Sequence, residues 1–401
     1  MMTASNRSHS AHQNRKLWQW LAVGSALIAA AVHAYLLKGH YDLRYGEVAG
    51  NLLCDISSKL SCSAASASRW SEFLGVPMAL WGMLTNIAFI VLVGWDYITD
   101  PGSRKANRTN LLIIAATLVL ASLVMAGITL AALDSACLFC IATYVLSALT
   151  ATGAWFAYKP DLEMSFKPVS FFGVAIAFAI SGFILNDQFR SGYTGPGGDA
   201  MSKAAVQEWS QNPPFEIPET DPLVKGPARS ETKMTIVEFA DYRCIHCKLA
   251  SAPLKAFSQS HPGVRLEFYT WPLDGECNTS IQQNNGASCL LARISWCAQN
   301  KAQKGWEAHD RIFARFEEWR TATAVRDAIP GLAAEIGIPA EQTEDFKTCT
   351  DSTEAKTAVE AQARLGSSLN LRGTPAIFVN GKALPAGSSI PVLNQVYRSL
   401  H

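Results

Sequence analysis

Cysteines carry the most recognisable chemistry of this sequence, which has 401 residues and ten cysteines. Cys137 and Cys140 form a C-x-x-C pair that opens an almost continuously apolar stretch, whereas Cys244 and Cys247 follow a β-rich segment and open a helical one. Thiolates in such pairs attack disulfides, and an even number of cysteines at short spacings favours an oxidising compartment. The sequence therefore predicts thiol–disulfide exchange at two places. The remaining cysteines are Cys54, Cys62, Cys277, Cys289, Cys297 and Cys349.

The composition limits the class of protein. Apolar residues make up 49% of the chain and charged residues only 17%, which is typical of a protein that lies partly in a membrane. The net charge of +1 gives no sign of a nucleic-acid surface. The sequence has no phosphate loop, no G-x-G-x-x-G and no H-E-x-x-H zinc motif. We therefore expect neither a nucleic-acid partner nor a metal site.

Apolar runs long enough to cross a bilayer, which requires about 20 residues, occur five times. The first run has a second interpretation, because Arg15 and Lys16 precede it and Val32–Ala34 resembles a signal-peptidase site. We expect a retained helix, since the segment that follows needs a partner helix to pack on. The five predicted spans lie near Leu17–Leu37, Leu74–Trp95, Leu111–Leu133, Cys137–Tyr158 and Val169–Phe189.

Basic residues predict the orientation of these spans in the membrane. By the positive-inside rule, the tail before span one and the links between spans two and three and between spans four and five are cytoplasmic. The bias is modest, because the outer segment from Lys38 to Phe73 also carries basic residues. All ten cysteines then lie on the outer, oxidising side. The cytoplasmic basic residues are Arg7, Arg15, Lys16, Arg104, Lys105, Arg108, Lys159 and Lys167.

A change of composition marks a second domain. Residues 190–232 are rich in Gly, Pro and Ser and are predicted to form a periplasmic linker, with a helical turn or more at Met201–Trp209. Residues 233–401 have the pattern of a soluble α/β domain, in which a strand leads into the C-x-x-C and a Thr-Pro precedes a late strand. This is the thioredoxin arrangement. Residues 1–16 are predicted to be a cytoplasmic tail, and residues 17–189 a helical membrane bundle.

The soluble dithiol lies where a strand ends and a helix begins. The positive end of the helix dipole stabilises a thiolate there, and His246 between the two cysteines adds to this effect. Cys244 is predicted to be the exposed nucleophile and Cys247 the resolving thiol. The alternatives are a structural disulfide or half of a zinc site, but zinc would require a second Cys/His pair at ligand spacing, and none is evident in this domain.

The sequences "VEFADYRCIHC" and "GTPAIFVNG" resemble the DsbA-like branch of the thioredoxin superfamily over roughly residues 233–401. The resemblance implies that Pro375 is cis and lies against the dithiol, and that Thr374 offers backbone groups to a bound peptide. It also implies that Glu238 is a buried acid that assists proton transfer. The alternative for Glu238 is an ordinary outward-facing strand residue.

Four further cysteines belong to this domain. Cys289 and Cys297 lie eight residues apart on one predicted helix, which separates them by roughly 12 Å, too far for a disulfide. This leaves two connectivities, of which we prefer Cys277–Cys289 with Cys297–Cys349, because the first closes a short loop. We expect both disulfides to be structural.

The membrane pair Cys137 and Cys140 has an alternative interpretation as two small apolar core residues, and Cys54–Cys62 as a loop-stabilising disulfide. The position of the two cysteine pairs on the same side of the membrane argues against both alternatives. The sequences "CDISSKLSCS", "SRWSEFLGVPMALWG" and "CLFCIATY" resemble the vitamin K epoxide reductase family in its bacterial form, fused to a thioredoxin-like domain. This family has a four-helix bundle that encloses a quinone, so span five is interpreted as an extra helix that returns the fused domain to the outside.

The resemblance assigns roles to the membrane residues. It implies that Cys140 faces the quinone and that Cys137 exchanges with the pair Cys54 and Cys62. It also places Tyr144, Ser71 and Trp70 at the quinone pocket; the alternative for Tyr144 and Trp70 is anchoring at the membrane interface, where such aromatic residues are enriched.

Together these features predict a bacterial inner-membrane enzyme with its redox cysteines on the periplasmic side. We expect it to form disulfides in reduced exported proteins and to pass the electrons to a membrane quinone, either ubiquinone or menaquinone. Two alternatives remain: an outward-facing disulfide reductase or isomerase, and a membrane-tethered peptide-binding chaperone. The sequence does not separate quinone chemistry from epoxide chemistry.

Overall fold

The computed structural model describes residues 4–45, 53–54, 60–98, 100–133, 136–159, 168–194, 198–261 and 263–400. They divide into two compact units, one within residues 1–196 and one formed by Gly197–His401. The predicted cytoplasmic Lys167 and residues 195–197 of the predicted linker lie outside the described residues.

The first unit is a helical bundle. A short antiparallel pair of strands, β1 (Glu72–Phe73) and β2 (Val76–Pro77), leads into its second long helix. The helices of this unit are α1 (Ala4–Tyr45), α2 (Cys62–Ala67), α3 (Met78–Ile98), α4 (Pro101–Ala132), α5 (Leu138–Tyr158) and α6 (Pro168–Thr194).

Small residues allow the long helices of this unit to pack closely. A side chain at Gly153 on α5 would place its Cβ 2.8 Å from the carbonyl oxygen of Trp18 on α1, so only glycine fits there. One turn away, the hydroxyl groups of Ser25 and Thr150 lie 3.0 Å apart and form a hydrogen bond between the same two helices. Close backbone approach and interhelical hydrogen bonds stabilise bundles in which lipid removes the hydrophobic driving force.

Within the described residues, four helices are long and apolar enough to span a membrane. This confirms four predicted spans as apolar helices. The fifth predicted span corresponds to α6, which is a helix but is not one of the four, so its crossing of the membrane stays a prediction. The four candidate spans are Asn14–Tyr45, Met78–Ile98, Arg104–Ala131 and Leu138–Tyr158.

The second unit is a thioredoxin fold with a helical insertion. Its five-stranded sheet has the order β3-β5-β4-β6-β7, with β4 and β5 parallel and the other neighbours antiparallel. The strands are β3 (Leu223–Lys225), β4 (Met234–Ala240), β5 (Val264–Thr270), β6 (Ala376–Val379) and β7 (Lys382–Ala383). The helices are α7 (Gly198–Gln211), α8 (Ile245–Ser260), α9 (Ala287–Ala302), α10 (Gly305–Ala314), α11 (Ala322–Glu335), α12 (Thr343–Asp351), α13 (Thr353–Ser368) and α14 (Ile390–Ser399).

The segment that was expected to be a linker differs from that expectation. Residues 198–232 fold with the second unit: α7 precedes β3, which pairs with β5 as the edge strand of the sheet. The indole Nε1 of Trp209 donates a hydrogen bond to the carbonyl of Val379 at 3.1 Å. Trp209, Ile217 and Leu223 are buried, and this spaced set of apolar residues holds a segment whose Gly and Pro content is typical of a linker.

Candidate redox-active sites

The soluble dithiol is placed by the junction of β4 and α8. Cys244 is the N-cap residue of α8, and its backbone N–H donates to the carbonyl of Asp241 at 3.1 Å. Its thiol is half-buried and donates to the carbonyl of Thr374 at 3.3 Å, whereas Cys247 is buried. The peptide bond between Thr374 and Pro375 is cis. The structure therefore brings Cys244 and the segment around Pro375 together, as the resemblance implied.

The environment makes the two thiols chemically unequal. A hydrogen bond from Cys247, together with those from the backbone at the helix start, lowers the pKa of Cys244 to about 6. Burial raises the pKa of Cys247, and its hydrogen bond to Cys244 raises it further. Cys244 is therefore a thiolate at neutral pH and Cys247 a thiol. His246 lies exposed between them.

Glu238 lies on β4 and is buried, with 1% of its surface exposed. Burial raises the pKa of its carboxyl group to about 8, and the negative charge of Cys244 adds to the effect. Its Oε1 atom has no hydrogen-bond partner in the part of the chain that the structure describes. Glu238 is therefore an inward-facing acid and not an outward-facing strand residue. Its carboxyl group is mostly protonated at neutral pH, and its pKa depends on the charge of Cys244.

The other cysteines of this unit form two disulfides. Cys277 is joined to Cys289, and Cys297 to Cys349, which is the pairing preferred from the sequence. Among the described residues, no group of three or more His, Cys, Asp or Glu side chains is arranged to hold a metal ion.

The membrane unit contains two disulfides whose sulfur atoms adjoin. Cys54 is bonded to Cys62, and Cys137 to Cys140. The sulfur of Cys62 lies 3.2 Å from the sulfur of Cys137. This is the distance at which a thiolate on one can attack a disulfide on the other.

Backbone contacts hold the two pairs in this position. The backbone N–H of Ser61 donates to the carbonyl of Ala136 at 2.9 Å, which fixes the residue before Cys62 to the residue before Cys137. Cys137 is the N-cap of α5, and its sulfur accepts the backbone N–H of Cys140 at 3.1 Å. An N–H donor at a helix start stabilises negative charge on that sulfur.

A cavity begins on the other side of Cys137. The space between its lining atoms amounts to about 1100 Å³, the opening included, and its wall is mainly apolar. Cys137 and Cys140 line it, whereas Cys54 and Cys62 do not. Cys137 therefore both contacts the sulfur of Cys62 and lines the cavity. The predicted pocket residues Trp70, Ser71 and Tyr144 also line it.

Each unit matches the model of a known protein family. Residues 20–155 match the family model of the vitamin K epoxide reductase family, and residues 235–398 match that of the DSBA-like thioredoxin domain. The chain joins a vitamin K epoxide reductase family domain to a DsbA-like domain. Both are families of thiol–disulfide oxidoreductases, so the chain is an oxidoreductase with that chemistry.

Individual relatives match about half of the chain. The chain is 24% identical over 178 residues to disulfide bond formation protein D of Bacillus subtilis, a match that covers 41% of this chain and 72% of that protein. The crystal structure of oxidised BdbD from Bacillus subtilis aligns with 47% of this chain and 98% of its own, with 21% identity and a TM-score of 0.37. Pseudomonas aeruginosa DsbA2 aligns with 47% of this chain and 97% of its own, with 21% identity and a TM-score of 0.35.

Four polar residues of the vitamin K epoxide reductase domain were missed from the sequence. His33 and His40 on α1 line the cavity. Arg44 forms an ion pair with Glu72 at 3.4 Å, and the imidazole Nε2 of His40 lies 3.3 Å from the same carboxylate. The guanidinium of Arg44 also donates to the carbonyls of Ser66 and Ser68 and to the hydroxyl of Ser71. A spacing of seven and then four residues along α1, which puts His33, His40 and Arg44 on one helix face, was the available signal.

Proposed function

We propose that this protein is a protein-dithiol:quinone oxidoreductase that forms disulfide bonds in exported proteins. The observation that carries the proposal is the position of Cys137, whose sulfur lies 3.2 Å from that of Cys62 and which also lines the cavity. A dithiol at this position contacts the Cys54–Cys62 disulfide and also lines an apolar cavity within the bundle.

The first step takes place at the DsbA-like domain. A thiolate of a reduced exported protein attacks the Cys244–Cys247 disulfide, and its second thiol completes the exchange, so that the substrate leaves with a disulfide and the domain with a dithiol. The low pKa of Cys244, about 6, supports this direction, because a stabilised thiolate favours the reduced form of the domain and makes its disulfide oxidising.

The second step moves the electrons into the membrane domain. The Cys244 thiolate attacks Cys54 and displaces Cys62, and Cys247 then attacks Cys244, which leaves Cys54 and Cys62 as thiols. The Cys62 thiolate attacks Cys137 and displaces Cys140. Cys54 then attacks Cys62, which restores the Cys54–Cys62 disulfide and leaves Cys137 and Cys140 as the dithiol. Each exchange breaks one disulfide and forms one, so two electrons move inward.

The residues of the cavity fit a flat, largely apolar ring with few polar substituents. Its wall is mainly apolar, with Cys140 in it and polar groups from Tyr144, Trp70 and Ser71, the three residues that would hold a quinone. A bound ubiquinone or menaquinone would supply the acceptor for the two electrons and two protons that the thiols of Cys137 and Cys140 release.

The proposed location is the bacterial inner membrane, with the cysteines on the periplasmic side. Four apolar helices fit a membrane protein, and a DsbA-like domain fits an exported one. The proposed partners are reduced exported proteins, the membrane quinone and the lipid bilayer.

The test replaces Cys62 or Cys137 by Ser in the full chain, with ubiquinone-1 or menadione as acceptor and a reduced test protein as donor. We expect Cys244 and Cys247 to accumulate as thiols and quinone reduction to stop in both variants. Ser181→Ala on α6, a residue that does not line the cavity, is the matched control and should behave as the unaltered chain. Continued quinone reduction in either cysteine variant would refute the relay.

A further inference from the structure

His33 is a polar side chain of the cavity wall to which the relay assigns no role. It lies on α1, and its ring lines the cavity, but its Nδ1 atom is buried and has no hydrogen-bond partner among the described residues. A buried imidazole nitrogen without a partner is unfavourable, and such a group in a native protein requires an explanation.

The packing around His33 makes room for the ring. A Cβ atom at Gly82 on α3 would lie 2.4 Å from the Cε1 and Nε2 atoms of the imidazole, so any larger residue at this position would displace the ring. Gly82 therefore leaves room for the imidazole in the wall of the cavity. Among the described residues, His33 has no hydrogen-bond partner that would stabilise the bundle.

Five hydroxyl groups of the same wall are already used as donors. Each donates to a backbone carbonyl of its own helix, at distances of 2.7 to 2.9 Å, and so keeps no proton for a ligand. They belong to Thr85, Ser122, Thr129, Thr143 and Ser147. The second cavity histidine, His40, is occupied by Glu72. Because Nδ1 of His33 is inaccessible, the ring nitrogen left for a ligand inside the cavity is Nε2, which is not one of the buried atoms without a partner among the described residues.

We propose that His33 binds the head group of the quinone by donating a hydrogen bond to one of its carbonyl oxygens. This inference rests on the proposed function. A quinone carries two carbonyls on opposite sides of its ring, so donors from two helices, His33 on α1 and Tyr144 on α5, fix the orientation of the ring against Cys140. His33 supplies no electrons and no net proton; both protons come from the thiols of Cys137 and Cys140.

The test compares His33→Gln with His33→Met in the full chain. Gln and Met have nearly the same length and shape, but only Gln keeps an N–H donor. Both changes are made in a Cys140→Ser background, and the Kd for ubiquinone-1 and for menadione is measured from the quenching of tryptophan fluorescence, since Trp70 and Trp81 line the cavity. We expect Met to raise the Kd about 3- to 10-fold, the range for one lost hydrogen bond, and Gln to remain within about 2-fold of His33.

The same pair with Cys140 intact gives a kinetic readout, in which Met raises the KM for the quinone in the same proportion. Gly82→Ala is a second variant that moves the imidazole without removing it and is expected to raise the Kd, so the test survives if His33→Met does not fold. Equal Kd values for the unaltered residue and Met, or equal losses for Gln and Met, would overturn the role of His33. Failure of the Cys140→Ser chain itself to bind either quinone would instead refute the proposed function.

Discussion

At the scale of single residues, the chemistry of Cys244 depends on hydrogen bonds. The thiol of Cys247 and the backbone N–H groups at the start of α8 donate to its thiolate, whereas the carbonyl of Thr374 accepts a hydrogen bond from its protonated form. Each of these would be weakened by a change in the local backbone, which explains why the dithiol occurs at a strand–helix junction and not in a flexible loop.

The pH dependence of Cys244 follows directly. Its pKa is lowered to about 6 in the folded protein, so the thiolate, and the stability that it adds to the reduced protein, is present above the ordinary thiol pKa and is lost as the pH falls through about 6. We expect the rate of iodoacetamide alkylation of reduced Cys244 to rise to a plateau with a midpoint near pH 6. A midpoint at the ordinary thiol pKa of about 8.5 would contradict this account.

Glu238 is expected to act on Cys247 and not on Cys244. Cys247 keeps its proton in the folded protein because burial raises its pKa, so a nearby group must accept that proton when Cys247 resolves a mixed disulfide. The acceptor is the carboxylate form of Glu238, which is the minor form at neutral pH because its pKa is about 8. Glu238→Gln should slow the resolution of the mixed disulfide between Cys244 and a substrate by about 100-fold, the lower end of general-base effects, as measured by acid quench and mass spectrometry. Alkylation of Cys244 is the control and should change little; if it slowed equally, Glu238 would act on the nucleophile instead.

At the scale of elements, the junction of α1 with α2 positions the loop disulfide. Arg44 at the end of α1 binds the carbonyls of Ser66 and Ser68, which follow Cys62 by four and six residues. Because these carbonyls lie at the C-terminal end of α2, the guanidinium also satisfies groups that a helix end leaves without partners. The distance between the sulfur atoms of Cys62 and Cys137 thus depends on the guanidinium of Arg44. Arg44 lies about three helical turns beyond His33 on α1.

Replacing Arg44 tests this positioning role. Arg44→Met keeps the apolar stem but removes the fork of donors, so we expect electron transfer from Cys62 to Cys137 to slow about 10-fold or more, as misplacement of reacting groups by about 1 Å does elsewhere. The readout is the reduction state of Cys137 after reduction of Cys244 and Cys247. Arg69→Met, on an exposed arginine nearby, is the matched control. Equal rates for Arg44→Met and the control would show that Arg44 does not position the loop.

The helices and strands also show how much of the fold could be predicted from the sequence. Four apolar spans, the thioredoxin strands and the two C-x-x-C pairs follow from period and spacing, because burial restricts them strongly. For Cys277, Cys289, Cys297 and Cys349, spacing excluded one connectivity and left two, of which the structure has the preferred one.

The helix expected at Met201–Trp209 is confirmed by α7. The packing of this segment on the second unit and the strand β3 were not predicted, since its Gly and Pro residues resemble a linker and Trp209 bonds to a residue far along the chain. The position of His33 in the cavity wall was not predicted either. The sequence does not show which residue of another helix, here Gly82, packs against the imidazole.

At the scale of the whole molecule, the account requires every redox cysteine to face the same compartment. The basic residues of the predicted cytoplasmic links supply the expected direction. We expect a membrane-impermeant maleimide to label reduced Cys244, which is half-buried, in intact spheroplasts, and a cysteine introduced at Ser103 between the second and third predicted spans to be protected until the membrane is opened. Labelling of Ser103→Cys from outside, or protection of Cys244, would invert the topology and refute the proposed contact with exported proteins.

The most direct measurement of the central claim traps the contact between the two membrane pairs. In a Cys54→Ser, Cys140→Ser double variant, Cys62 and Cys137 remain, with sulfur atoms that lie 3.2 Å apart in the structure. The account predicts that they form an intramolecular disulfide on mild oxidation, identified by mass spectrometry of the digested protein. The complementary Cys62→Ser, Cys137→Ser variant, which keeps Cys54 and Cys140, should remain unlinked. Free thiols at Cys62 and Cys137, or equal linkage in both variants, would contradict the relay.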